Sequence, residues 1–278
     1  MSNIVAADAF HRLFPWKPLI GMVHLGALPG SARWAGSLNE VLGRAVADAE
    51  ALAEGGADGI MVENFFDAPF HKSAVPPVTV AAMTAAALAI RAAVSLPLGV
   101  NVLRNDACAA LSIAHVCGAQ FVRCNVFVGA VVTDQGIIEG AAQELLDLRS
   151  RLGSSVQIWA DVGVKHAAAL GDYALSEQAR DARVRGLADA LIVTGAATGA
   201  ATPFDRVVDI SSAVPGCPVL VGSGVDESSA REMARVADGA IVGSSLKEGG
   251  VVANPVSVGR VRSVASAFRG TRNAPSEP

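Results

Sequence analysis

The chain has 278 residues, of which 51% are hydrophobic and 17% charged, with a formal net charge of −4 at pH 7. Such a composition supplies a large apolar core and excludes an intrinsically disordered chain. The mild acidity gives no electrostatic reason to expect nucleic acid or an anionic membrane as a partner.

The opening MSNIVAADAF has neither a basic region nor a long apolar stretch, so no secretory signal is read and a cytoplasmic protein is expected. Residues 1–17 are expected to cap a barrel that follows. Leu19 to His24, apolar and partly β-branched, reads as the first strand. Ser37-Leu38-Asn39-Glu40 then has the form of a capping box, and Leu38, Val41, Leu42, Ala45, Ala49 and Leu52 recur on one helical face until Gly55 and Gly56 stop the helix. Further strands are predicted at Gly59 to Glu63, Leu98 to Val102, Gln120 to Asn125, Val156 to Asp161, Ala190 to Val193, Pro218 to Val221 and Ala240 to Val242. Between them, helices are predicted at 77–94, 106–117, 139–152, 174–186, 203–213, 226–236 and 254–268, the last with Asn254 as N-cap and Pro255 at its first position. The apolar run Val78 to Ile90 is too short to span a bilayer, so no integral membrane segment is expected.

Eight strand–helix alternations predict an α/β fold, a parallel eight-stranded (β/α)8 TIM barrel over 18–268, followed by a polar, disordered tail at 269–278. An internal echo supports it. Ala57-Asp58-Gly59-Ile60-Met61-Val62 resembles Ala188-Asp189-Ala190-Leu191-Ile192-Val193 and Ala237-Asp238-Gly239-Ala240-Ile241-Val242, each placing an aspartate before a buried strand. A doubly wound sheet is the rival, but the glycine-rich loops follow the late strands and not the first. The alanine-rich faces at Ala81-Ala82 and Ala85-Ala86-Ala87 permit close helix packing and make a homo-oligomer an expectation. Cys108, Cys117, Cys124 and Cys217 show no CxxC spacing and read as buried free thiols, since a zinc site would need His115 to join them.

In a barrel of this kind ligands bind where the strands end. After the seventh and eighth strands come Gly222-Ser223-Gly224 and Gly243-Ser244, whose backbones can approach an anion, and together they predict a phosphate cup. The rim Thr194-Gly195-Ala196-Ala197-Thr198-Gly199 lies beside it, with Gly195 counted among the phosphate contacts. Alternation along the strands aims Met61 with Glu63, Gly99 with Asn101, Phe121 with Arg123 and Asn125, and Trp159 with Asp161 toward the barrel mouth. Glu63 and Asp161, with His24 or Asp134 as proton partner, form the candidate catalytic set. Asn64, Asn101, Arg104, Arg123, Asn125, Lys165 and Thr194 form the substrate-binding set, the alternative being a structural pair such as Arg123 with Glu63. Thr133-Asp134-Gln135-Gly136 is read as part of a long loop after strand four, and Lys165-His166 as the start of a helix. No cofactor is required; a Mg²⁺ ion on Glu63 and Asp161 is compatible with these residues but not demanded by their spacing.

The same segments carry a resemblance. Pro18-Leu19-Ile20-Gly21-Met22-Val23-His24-Leu25-Gly26-Ala27-Leu28-Pro29-Gly30 is similar to the opening signature of the BtpA/SgcQ family. Asp58 to Asn64 with Asp67-Ala68-Pro69-Phe70, Gly99 to Asp106, Thr133 to Gly140, Ala160-Asp161-Val162 with Val164-Lys165-His166-Ala167, and the Thr194, Gly222 and Gly243 loops continue the likeness in order over roughly residues 17 to 262. Phe66 stands where a smaller residue is expected and would narrow the pocket mouth. The resemblance implies a ribulose-phosphate-binding type of barrel. One branch of the family is named for stabilising photosystem I in cyanobacteria, and another lies in a bacterial sugar-utilisation cluster and is described as a nucleosidase or phosphosugar enzyme. No catalytic residue is carried over from it.

The combined expectation is an enzyme acting on a phosphorylated sugar or nucleotide-like small molecule. Cleavage or transfer at a glycosidic, anomeric centre would use the two carboxylates. The alternatives are a phosphosugar isomerase, epimerase or aldolase-like lyase, the last using Lys165, and a non-catalytic biogenesis or assembly factor of the photosystem I type.

Overall fold

Eight parallel strands close on themselves in the computed structural model, which describes residues 9–195 and 201–270. In chain order the elements are β1 (Leu19–His24), α1 (Leu38–Gly55), β2 (Gly59–Glu63), α2 (Pro77–Ala93), β3 (Leu98–Asn101), α3 (Ala107–Cys117) and β4 (Phe121–Cys124). A hairpin of β5 (Ala130–Thr133) and β6 (Gly136–Glu139) precedes α4 (Ala142–Arg151), β7 (Gln157–Val162), β8 (Ala167–Ala169) and α5 (Leu175–Arg180). Then come β9 (Ala190–Val193), α6 (Phe204–Ala213), β10 (Val219–Val221), α7 (Ala230–Val236), β11 (Gly239–Val242) and α8 (Val258–Arg269). Round the barrel the order is β1-β11-β10-β9-β7-β4-β3-β2. The TIM barrel expected from the alternation is what the chain forms.

Local chemistry explains the elements. The Ser37 hydroxyl accepts the Glu40 N–H at 3.3 Å to start α1, and Gly56 at φ 90° closes it. Inside the barrel, Ile20, Met22, Met61, Phe121, Trp159, Ile192, Leu220 and Ile241 form one apolar plug, joined from below by Phe10 and Phe14. Phe121 and Trp159 stack at 3.9 Å, and Gly99 leaves the space they need, because a Cβ there would lie 2.0 Å from the Phe121 ring. A second apolar layer lies between strands and helices. There Ala82, Ala86 and Ala87 are buried within the chain, so the close packing these alanines permit is used internally.

The repeated aspartates have a common task at the amino ends of the strands. Asp58, Asp189 and Asp238 each accept the N–H of a neighbouring strand's residue, Leu19 at 2.9 Å, Ile158 at 2.7 Å and Val219 at 2.9 Å. Each aspartate N–H donates back to the carbonyl of that same residue at 2.8 Å. Gln120 makes the same two-way clasp on Leu98, a fourth case that the sequence echo does not reveal.

Four details differ from expectation. The long loop after β4 folds as the β5–β6 hairpin, with Asp134 and Gln135 at its turn, and joins β8 in a small antiparallel sheet. The helix expected over 174–186 ends at Arg180 and gives way to a π turn over Asp181–Arg185. Lys165 and His166 begin no helix; they lie in a turn before β8, with His166 at φ 52°. Asn254-Pro255 stands before α8, which starts at Val258, because Val256 bridges to Lys247 and donates its N–H to Asp48, keeping the chain extended.

Candidate active site

A cavity of about 320 Å³ opens where the barrel strands end, a volume at the small end of metabolite sites. On one side its wall is the loop after β10 (Gly222, Ser223, Gly224) and the loop after β11 (Gly243, Ser244, Ser245). The two glycine/serine turns therefore face a common space. Glycine is demanded on steric grounds at Gly222, where a Cβ would meet the Ile192 side chain at 2.4 Å, and at Gly243, where it would meet the His24 ring at 2.9 Å. The Ser223 hydroxyl accepts the Gly195 N–H at 2.7 Å, and Ser245 is anchored to the Val225 carbonyl.

Glu63, at the end of β2, is buried and accepts a hydrogen bond from Asn101 Nδ2 at 2.5 Å. Burial raises its carboxyl pKa, against the opposing pull of the Arg123 and Lys165 charges and the Asn101 hydrogen bond. His24 Nε2 lies 3.9 Å from Glu63 Oε1, and its ring rests against Phe65 at 4.7 Å. Burial first, then the positive charges of Lys247, Lys165, Arg123 and Arg44, lowers the imidazole pKa to about 3. His24 is thus neutral and its contact with Glu63 is not an ion pair.

Asp161 is spoken for. Arg123 Nε donates to its Oδ1 at 3.0 Å, Arg123 Nη2 to its Oδ2 at 2.9 Å, and Asn125 Nδ2 to Oδ2 at 2.9 Å. Arg123 therefore pairs with Asp161 and not with Glu63. Glu63 and Asp161 do not form two free carboxylates. Among the described residues, no group of three or more His, Cys, Asp or Glu is placed to hold a metal ion.

Lys165 reaches the cavity from the β7–β8 turn. Desolvation, then the Arg123 charge, lowers its pKa to about 8. Arg104 faces the same space. His24, Glu63, Arg104, Arg123, Asn125 and Lys165 are thus brought together with Gly222, Ser223, Gly224, Gly243 and Ser244.

The remaining candidates lie elsewhere. Asp134 is exposed at the hairpin turn and does not line the cavity. Thr194 is fully buried and donates to the Gly163 carbonyl at 3.1 Å. The rest of its rim, 196–200, lies outside the described residues. Asn101 supports Glu63 from behind. Asn64 ties loops together: its Oδ1 accepts the Leu103 N–H at 2.7 Å, while its Nδ2 donates to Leu103 O at 3.3 Å and to Asp67 at 3.1 Å. Asp67 in turn accepts the Leu28 N–H at 2.7 Å, so one network joins the loops after β1, β2 and β3. Phe65, Phe66 and Phe70 wall the mouth. From the sequence, Phe66 alone is singled out; the aromatic pair Phe65-Phe66 directly after a strand is the signal for Phe65, and Phe70 has no such signal.

Barrel closure, with a cavity at the carboxyl ends of the strands, defines a TIM barrel. The chain belongs to the BtpA family, whose model matches residues 15–270. It is 46% identical to the photosystem I biogenesis protein BtpA of Synechocystis over 97% of this chain and 94% of that protein. It is 49% identical to an uncharacterised protein of Thermococcus kodakarensis, over 90% of this chain and 94% of the relative. Among solved structures, tryptophan synthase of M. tuberculosis is similar at TM-score 0.59 and 20% identity, covering 96% of this chain and 98% of that one. N-(5'-phosphoribosyl)anthranilate isomerase of Pyrococcus furiosus is similar at TM-score 0.57 and 12% identity, covering 91% and 99%. At these identities the likeness to the structures concerns the fold. No helix among the described residues is long and apolar enough to cross a membrane.

Proposed function

We propose that this chain is an enzyme that moves a proton on a phosphorylated, sugar-like metabolite, in the manner of an isomerase. The observation that carries the reading is one cavity walled by both glycine/serine turns and by the buried Glu63 carboxyl. The phosphate would rest on Gly222, Ser223, Gly224, Gly243 and Ser244, where small residues let the backbone approach an anion. Glu63 is then the base, strengthened by the same burial that raises its pKa. It takes a C–H proton adjacent to a carbonyl, the electron pair moves to the carbonyl oxygen, and the Lys165 ammonium supplies a proton there. Glu63 then returns its proton to the neighbouring carbon while the Lys165 amine takes the hydroxyl proton of the first carbon, which leaves the carbonyl there and restores both Glu63 and the Lys165 ammonium. Asp161 holds Arg123 in place, and neutral His24 borders Glu63 without competing for its proton.

Glycosidic cleavage is the second reading, favoured by a carboxyl whose raised pKa suits it to protonate a leaving group. It is weaker because Asp161 is tied to Arg123 and gives no second free carboxylate. An assembly role draws support from the name of the Synechocystis relative.

The test is a thermal-shift panel of pentose phosphates, hexose phosphates and nucleoside monophosphates, then proton exchange from D₂O into each stabilising compound, followed by NMR. Exchange by the wild type that is lost in Glu63→Gln, with binding retained, is expected. Release of a free base instead selects glycosidic cleavage. Stabilisation by no member of the panel at millimolar concentration refutes the metabolite reading and leaves the assembly role.

A further inference from the structure

We propose that Arg104 is the anchor of a second anionic subsite, so that the ligand carries an anionic group at each end. The inference rests on the phosphate reading above and extends it to the substrate class. Arg104 is only 7% exposed, yet it lines the cavity. Its Nη2 donates to the Lys165 carbonyl, and its Nε is buried without a partner. Among the described residues it forms no ion pair.

Two other buried cations show the contrast. Arg123 is paired with Asp161 at 2.9 Å, and Lys247 with Asp48 at 2.5 Å. A buried guanidinium is costly unless an anion and hydrogen bonds meet it. Arg104 has its fixed geometry but lacks the anion. Its backbone N–H is held by the His71 carbonyl at 3.1 Å, and the preceding Leu103 is held by Asn64 from both sides. These contacts fix the backbone, and the Nη2 bond to the Lys165 carbonyl holds the side chain against the cavity wall.

The location fixes the shape of the ligand. In the barrel order β1-β11-β10-β9-β7-β4-β3-β2, β3 and β10 stand four places apart, which is diametrically opposite in a ring of eight. Arg104 follows β3 and extends its guanidinium to the Lys165 carbonyl after β7, while Gly222 to Gly224 follow β10, and all of them line the one cavity. A linear metabolite with a phosphate on the β10 and β11 loops would therefore present its far end to Arg104. A second phosphate and a carboxylate share the needed chemistry, since both accept the guanidinium's parallel N–H donors.

The test measures affinities of the full chain for inorganic phosphate, ribose phosphate, ribulose bisphosphate and phosphoglycerate by calorimetry. The two-ended probes are expected to bind the wild type about tenfold or more tightly than ribose phosphate, the scale of one added charge-assisted contact. In Arg104→Gln that advantage disappears, while the affinity for ribose phosphate stays within about twofold. Arg104→Lys, which keeps the charge, retains part of it, and serves if the glutamine variant does not fold. Whichever two-ended probe shows the advantage identifies the second group as phosphate or carboxylate. If ribose phosphate binds but neither two-ended probe binds more tightly, or if the advantage survives in Arg104→Gln, the subsite is refuted and the phosphate cup stands. If no probe binds, the cup falls, and the subsite with it.

Discussion

Replacing His24 by glutamine tests the electrostatics of the barrel mouth. The imidazole titrates at about 3 in the folded protein against an ordinary value of 6.5, because burial and the Lys247, Lys165, Arg123 and Arg44 charges oppose its protonation. Between these values the unfolded chain binds a proton that the folded chain refuses. Stability is therefore complete above pH 6.5 and falls as the pH drops toward 3. At about 1.4 kcal/mol per pH unit, the one and a half units from 6.5 to 5 remove about 2 kcal/mol. Urea unfolding of the wild type and of His24→Gln at pH 7.5 and 5 isolates this amount, because other titrating groups largely cancel between the two proteins. The wild type should lose about 2 kcal/mol more than the variant over that interval. Equal losses in both would show that the folded imidazole accepts a proton freely, and the claim that His24 is neutral beside Glu63 would fail.

Two further substitutions address the frame. Asp238→Ala removes the acceptor of the Val219 N–H and should cost about 1–3 kcal/mol in denaturant unfolding; ligand affinity at the other end of the barrel should be unchanged, and a loss of affinity would contradict the separation of the two ends. Gly99→Val forces a side chain into the Phe121 ring, 2.0 Å from where its Cβ would stand, so a cost of at least about 1–3 kcal/mol is expected from thermal melting, and an undiminished Tm would show that the interior is looser than described.

The fold was legible because its signals are local and repeated. Alternating apolar strands, the Ser37 cap and the Gly56 stop each follow from short-range chemistry, and eight alternations leave few ways to close. The strand-end faces were legible too, since a period of two sorts Glu63, Arg123 and Asp161 toward the mouth without any tertiary knowledge. Partner choice was not. Whether Arg123 takes Glu63 or Asp161 depends on which strands are neighbours and on their register, and β4 lies directly beside β7, with Arg123 aligned on Trp159. Asn64 read as a ligand contact because an amide at a strand end suits either role; only the position of Leu103 assigns it to the loop network. The β5–β6 hairpin escaped because its two runs are short, although Thr133-Asp134-Gln135-Gly136 between apolar residues was a turn signal in plain view.

The clasps made by Asp58, Gln120, Asp189 and Asp238 fall on alternate seams, joining β1 to β2, β3 to β4, β7 to β9 and β10 to β11. The barrel is in that sense four stapled quarters. Its first two quarters contribute Glu63 and Arg104, and its last two contribute Lys165 and both glycine/serine turns. Under the proposed reading, gripping the phosphate and holding the far end of the ligand would fall to separate halves of the molecule, so each half could change its preference while the other keeps its hold.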